Sequence, residues 1–248
     1  MIICKSSKEI ESLKKSNQIV AVILKELKKA AQPGVTTLEL DQLAERLIKK
    51  NNCIPAFKGY KNYPATLCIS VNEEIVHGIP GPRKLKEGDI VSLDMGVKWD
   101  GFYGDAAITV PVGEIDLQSQ NLIRVTEEAL YKGIEKAQVG NRLSDISHAV
   151  QEWVEKHGFS VVRNFVGHGI GKALHEEPQI PNFGKPGFGP RLREGMVLAL
   201  EPMVNAGSYE IKILSDGWTA VTMDGSRSAH FEHSIAIATD GPLILSKF

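Results

Sequence analysis

The chain has 248 residues, 42% of them hydrophobic and 24% charged, with 29 Lys and Arg against 30 Asp and Glu for a formal net charge of -1. That balance fits one globular domain near the upper end of single-domain size, and the near-neutral charge without a sustained basic run excludes an electrostatic footprint for nucleic acid. No window approaches the ~20 consecutive apolar residues that cross a bilayer, so no membrane role is expected.

The N-terminal stretch MIICKSSKEIESLKKSNQ turns polar after three apolar residues and lacks a secretory signal, so a cytoplasmic protein is expected. Residues 7–31 and 36–51 read as helices joined by a turn at Pro33 and Gly34. The second carries apolar residues at helical spacing (Leu38, Leu43, Leu47) and a capping box of Thr36 with Glu39. Cys4, Cys53 and Cys68 are an odd number without C-x-x-C spacing, which predicts reduced thiols rather than a disulfide framework or zinc ribbon.

The stretch SLDMGVKWDGFYGDAAITV, residues 92 to 110, reads as a hairpin turning at Asp100-Gly101. Aspartate is depleted in strands, yet Asp94 and Asp105 lie within this one. Centring the turn on Asp100-Gly101 pairs Gly96 with Asp105. Because side chains alternate faces, both carboxylates then share a face on a diagonal of roughly 7 Å.

Residues 116–137 and 144–157 repeat the two-helix arrangement, and Ala31-Gln32-x-Gly34 recurs as Ala137-Gln138-x-Gly140, 106 positions later. Further on, LKEGDIVSLD ending at Asp94 recurs as LREGMVLALE ending at Glu201, 107 positions later. Two matches in nearly one register predict a duplicated α+β chain: pseudo-twofold halves with helices packed on an antiparallel sheet. The Gly/Pro-rich loops GIPGPRKLKEG and NFGKPGFGPRLREG each lead straight into a repeated strand, so residues 1–248 read as a single domain.

The repeat supplies further acids. Glu201 occupies the place of Asp94, and Glu232 lies in the next strand-like run, as Asp105 follows Asp94. Like charges 4 Å apart repel by about 4 kcal/mol at an effective dielectric near 20, which protonation or bound divalent cations would relieve. Oxygen ligands with one nitrogen suit Mn, Fe, Co or Zn, and the nitrogen is assigned to His168, whose neighbours Gly167 and Gly169 would let the backbone approach a site closely. His148, His157, His230 and His233 read as surface or satisfied core histidines. GHGIGKA lacks phosphate-loop spacing, and there is no H-E-x-x-H or G-x-S-x-G.

The blocks SVNEEIVHGIPG, DMGVKWDGFYGDAAIT, FVGHGIGKALHEEPQIPNFG, GMVLALEPM and DGWTAVTMDGSRSAHFEHSI resemble, in order and over essentially the whole chain, the type I methionine aminopeptidases in their short, bacterial-style form. The resemblance implies the pita-bread fold and two divalent metal ions held by Asp94, Asp105, His168, Glu201 and Glu232. Asp105 and Glu232 would bridge, Asp94 would complete one site, and His168 with Glu201 the other. It further implies Glu201 as proton acceptor and His77 and His175 as substrate contacts at the scissile amide and its carbonyl. Tyr60, Tyr63, Cys68 and Trp218 match the methionine pocket, while Phe57 and Leu174 depart from residues common there.

The activity implied is removal of the initiator methionine when the next residue is small. The implied partners are nascent polypeptide N-termini and short peptides beginning with Met, with transient ribosome association, and a monomer is expected. Two other readings compete. An Xaa-Pro aminopeptidase or prolidase on the same fold would usually carry an added N-terminal domain, which this chain lacks. A metal-free partner-binding relative would have lost ligands that are all present here.

Overall fold

A computed structural model describes residues 1–247. Four helices form where capping and apolar periodicity place them: α1 (Ser7–Ala30), α2 (Thr37–Lys50), α3 (Leu117–Lys136) and α4 (Leu143–Lys156). Ser6 and Glu9 box the start of α1, Thr36 and Glu39 that of α2, and the Asp116 carboxylate accepts from Ser119 N–H at the start of α3.

In α2 the buried stripe is Leu40, Asp41, Ala44 and Ile48. It is rotated from the expected Leu38, Leu43 and Leu47: Leu38 is exposed, and the other two are only partly covered. Asp41 explains the rotation. Its carboxylate accepts the N–H groups of Thr66 and Leu67, both at 2.8 Å, so this acid must face inward.

Nine antiparallel strands make the main sheet, in the order Ile54–Pro55, Ile90–Trp99, Phe102–Pro111, Glu232–Ala238, Val197–Leu200, Val166–Gly169 and Glu176–Pro181. Cys68–Val71 also pairs with Ile90–Trp99, and Gly241–Ile244 with Glu232–Ala238. The order is symmetric about the contact between Phe102–Pro111 and Glu232–Ala238, with the repeated strands 90–99 and 197–200 flanking it on either side. This is the duplicated α+β pita-bread arrangement expected.

One correction concerns the second half. Met203–Asn205, Ile211–Ile213, Ala220–Thr222 and Ser228–His230 lie between the strand before Glu201 and that of Glu232, and with Ser160–Val161 and Glu74–Val76 they build two further three-stranded sheets. Glu232 is therefore next to the Glu201 strand in the sheet but not next in the chain.

The hairpin turns at Asp100 (φ 46°) and Gly101 (φ 82°), and its ladder runs without a bulge from Trp99–Phe102 to Ile90–Pro111. Alternation then divides the two strands. Leu93, Met95, Val97, Ala106 and Ile108 turn to a core shared with Val20, Ile23, Leu24 and Leu27 of α1. Each of these side chains larger than alanine contributes about 2 kcal/mol on burial. Contact with α1 is so close at Gly104 that a Cβ there would lie 2.6 Å from the Ser16 backbone. Asp94 and Asp105 are on the opposite face.

Candidate metal centre and adjoining pocket

Ala107 sits at the middle of the acidic face, paired with Asp94 in one neighbouring strand and with Glu232 in the other. Asp105 lies two residues before it, on the same face. In the second half Ala199 plays the same part, paired with His168 and two residues before Glu201. Two short side chains thus floor a space ringed by four acids and one imidazole. The α1 side chain Asn17 fixes the backbone here, its Oδ1 accepting the Asp105 N–H at 3.2 Å.

Ligand atoms of Asp105, His168 and Glu232 all lie within 4.8 Å of one another, and His168 Nε2 is 3.5 Å from Glu201 Oε1. Asp105 and Glu232 are each 3% exposed. Asp94 Oδ1, Asp105 Oδ1 and Glu232 Oε1 are buried with no hydrogen-bond partner. An unpaired buried carboxylate oxygen is costly, and three converging ones with an imidazole form a donor set that fits hard or borderline divalent cations.

Burial raises Asp94 to about 7. It also holds Asp105, Glu201 and Glu232 well above the ordinary carboxylate range, with repulsion from neighbouring acids adding to the effect. His168 is held neutral, lowered by burial and by His175 to about 3. Its Nδ1 is 2.9 Å from the Gly169 carbonyl, which can only accept, so the ring proton sits on Nδ1 and Nε2 keeps its lone pair for a cation. Gly167 and Gly169 serve a different purpose from the one expected. A Cβ on them would lie 2.4 Å from the Ala199 carbonyl oxygen and 2.3 Å from that of Glu177, so they admit neighbouring strands rather than a ligand.

The acids close one end of a cavity of about 280 Å³. Tyr60, Tyr63, Cys68, His77, His175 and Trp218 all line it, as do Phe57 and Leu174, so every site residue read from the sequence opens onto one space. The Tyr63 hydroxyl is tied to the Leu67 and Gly78 carbonyls at 2.8 and 2.9 Å, and its ring meets Trp218 edge-on with centroids 5.1 Å apart. Burial holds the Cys68 thiol protonated.

His77 adopts a left-handed backbone (φ 61°), a sparsely populated conformation for a non-glycine residue. Its ring packs edge-on against Phe165. His175 meets His168 edge-on with centroids 4.2 Å apart, and its Nδ1 is 2.7 Å from the Tyr60 hydroxyl. Burial above all lowers His77 and His175 to about 4, so both are neutral near pH 7.

His148, His157 and His233 have the partners expected of ordinary histidines: the Gly184 carbonyl, the Trp153 carbonyl and the Ser246 hydroxyl. His230 does not. It is 1% exposed, both ring nitrogens lack a hydrogen-bond partner, and Nε2 lies 3.9 Å from Glu201 Oε2. His230 therefore faces the acids and departs from the satisfied-core reading. Its position two residues before Glu232, on the same face of an extended segment, was the available signal.

A fold of duplicated halves that buries four acids and an imidazole around unpaired oxygens is the architecture of a metal-dependent hydrolase. The model of metallopeptidase family M24 matches residues 11–239, and the chain belongs to that family. It is 57% identical over 247 residues to methionine aminopeptidase 1 of Bacillus subtilis, covering 100% of both chains. It superposes with a TM-score of 0.98 on the crystal structure of a methionine aminopeptidase from Thermotoga maritima, at 52% identity and 100% coverage of both chains. The prolidase of Pyrococcus horikoshii shares the fold, with a TM-score of 0.81 at 24% identity over 64% of that longer chain.

Proposed function

We infer that this chain is a metal-dependent methionine aminopeptidase that removes an N-terminal methionine when the next residue is small. The observation that carries the reading is the single cavity in which four acids and His168 meet an aromatic, thiol-bearing pocket through His77 and His175. Its substrates are nascent polypeptide N-termini and short peptides beginning with Met, its compartment is the cytoplasm, and residues 1–248 act as one catalytic domain.

Asp94, Asp105, His168, Glu201 and Glu232 would hold two divalent ions. Bound there, such ions supply Lewis-acid polarisation of the scissile carbonyl and lower the pKa of a water. The protein supplies the rest. The methionine side chain enters among Tyr60, Tyr63, Cys68 and Trp218, where aromatic faces and a soft sulfur suit a thioether. A carboxylate oxygen of Glu201 takes the proton as water attacks the carbonyl carbon.

His175 reaches the scissile carbonyl. In this role the ring carries its proton on Nε2, offered to a carbonyl oxygen that gains negative charge, while Nδ1, 2.7 Å from the Tyr60 hydroxyl, accepts from it. His77 reaches the scissile amide nitrogen. Held neutral, neither imidazole places a full positive charge beside the cations. The C–N bond then breaks as the proton held by Glu201 passes to the amide nitrogen, giving methionine and a shortened peptide with a new amino end.

The test is turnover of Met-Ala-Ser and of an Xaa-Pro peptide by chelator-treated protein resupplied with Mn, Fe, Co or Zn in turn. Release of free methionine that depends on added metal supports the reading. Metal-independent release, or cleavage confined to Xaa-Pro, overturns it.

A further inference from the structure

Lys61 is exposed and is the one lysine or arginine among the residues lining the cavity, which also holds the acids Asp94, Asp105, Glu201 and Glu232. It occupies the middle of the three-residue turn Tyr60–Asn62, with Lys61 (φ 47°) and Asn62 (φ 71°) both in the left-handed region. Two consecutive non-glycine residues persist in that conformation only where the surroundings fix them. Here the turn is closed by the bonds Gly59 N–H to Tyr63 O at 2.8 Å and Tyr63 N–H to Tyr60 O at 2.9 Å. The constraint fixes where the lysine stem starts. The ammonium lies 5.4 Å from the centroid of the Tyr60 ring, the same ring whose hydroxyl meets His175.

Lys61 is exposed and has no carboxylate partner among the described residues, whereas Lys58, three positions earlier, is paired with Glu45 at 3.1 Å. Its charge also reaches inward, contributing to the lowered pKa of both His77 and His175. The cavity is thus polarised, with acids at its floor and one free cation at its mouth. A peptide whose ammonium end enters toward the acids passes its carboxyl-ward part over that mouth.

We propose that Lys61 forms an anion-recognising subsite for a carboxylate on the leaving part of the substrate, either the C-terminus of a short peptide or an acidic side chain a few residues beyond the scissile bond. The proposal rests on the aminopeptidase reading. Because Lys61 touches a part of the substrate that does not react, its contribution falls on KM rather than kcat. An ion pair at 4 Å in bulk water is equivalent to about a fivefold preference, and salt screens it, the Debye length being about 3 Å at 1 M.

The experiment compares Met-Ala-Ser with its C-terminal amide, and Met-Ala-Ser-Asp-amide with Met-Ala-Ser-Asn-amide, at low and high salt with one fixed metal. The proteins are the wild type, Lys61→Met and Lys61→Arg. The expected result is a KM about fivefold lower for the anionic member of at least one pair. That preference should vanish at 1 M salt and in Lys61→Met, and persist in Lys61→Arg, and the pair that shows it identifies which carboxylate is bound. Equal KM values within both pairs, or a preference unchanged in Lys61→Met, would overturn the subsite while leaving the aminopeptidase intact. No release of methionine from any of the four peptides would overturn the reading beneath it, and the subsite with it.

Discussion

The Tyr60 hydroxyl lies 2.7 Å from Nδ1 of His175, across 115 residues of sequence, and so fixes the orientation of that imidazole. Burial raises the Tyr60 pKa and lowers that of His175 to about 4, so near pH 7 both groups are neutral and the bond joins an uncharged phenol to an uncharged ring. Tyr60→Phe should lower kcat about tenfold, in the range of one lost hydrogen bond to a group that acts in the transition state. Bound metal, measured by elemental analysis of the purified variant, should be unchanged. Loss of metal from Tyr60→Phe would show that the ring supports the acids instead.

Asp105→Asn tests the other end of the cavity. Asp105 Oδ1 is buried without a partner, and the side chain clusters with His168 and Glu232 within 4.8 Å. An amide offers one neutral oxygen where two charged ones are needed, so metal affinity and turnover should each fall by more than about a hundredfold, beyond the loss typical of an outer-shell change. His175→Ala should retain metal while kcat falls. Calorimetric titration with Mn separates the two variants, and full metal content in Asp105→Asn would refute its place as a ligand.

The hairpin and its acids were legible because Asp100-Gly101 fixes a two-residue turn and period-two alternation does the rest, so the faces of Asp94 and Asp105 followed from counting. Glu201 followed from the repeat. Spacing along α2 misled because its inner face is decided by long-range bonds from Asp41 to Thr66 and Leu67, which local periodicity does not carry. His230 escaped for a related reason. Thr109 takes up its backbone through Oγ1, at 2.8 Å from both the His230 N and O, which holds the segment extended beyond the ladder and keeps the ring on the acidic face. Lys61 left no pattern at all, since its position depends on backbone angles that a sequence does not print.

Stability of the metal-free protein should depend on pH in a way that reveals the acids. Buried Asp94 holds its proton until about 7, with Asp105, Glu201 and Glu232 also raised, while unfolded carboxylates release theirs near pH 4. The folded state therefore binds more protons, and stability is lost as pH rises through the folded values. His77, His168, His175 and His230, lowered to about 3–4, act oppositely, but their contribution is complete once pH exceeds the unfolded value of about 6.5. From about a pH unit above that imidazole value, the Tm of chelator-treated protein should fall with further rise in pH as the raised acids lose their protons. Added Mn should raise Tm in a concentration-dependent way, by a margin that grows with pH because ligands bind deprotonated. A metal-free Tm that climbs over that range, or one unmoved by Mn at every pH, contradicts the assignment.

Specificity for the first residue follows from the pocket walls. Tyr63 is fixed at its hydroxyl by two carbonyls and braced by Trp218, so the space among Tyr60, Tyr63, Cys68 and Trp218 cannot collapse onto a short side chain. Alanine in place of methionine leaves that space unfilled, at a cost of about 0.8 kcal/mol for each missing methylene-sized group, or roughly fiftyfold for three. Norleucine keeps the length and loses only the sulfur, so it should remain a substrate within about tenfold of methionine, the sulfur's contact with aromatic rings being worth about 1 kcal/mol. Valine places its branch at Cβ and should be poor, because a straight slot between aromatic faces accepts an unbranched chain more readily than a wide one. The measurement is kcat/KM for X-Ala-Ser with X as Met, norleucine, Val, Leu and Ala under one metal condition. Equal values for Met, Leu and Ala would mean that the walls do not select, and would replace a methionine-specific enzyme with an aminopeptidase of broad range.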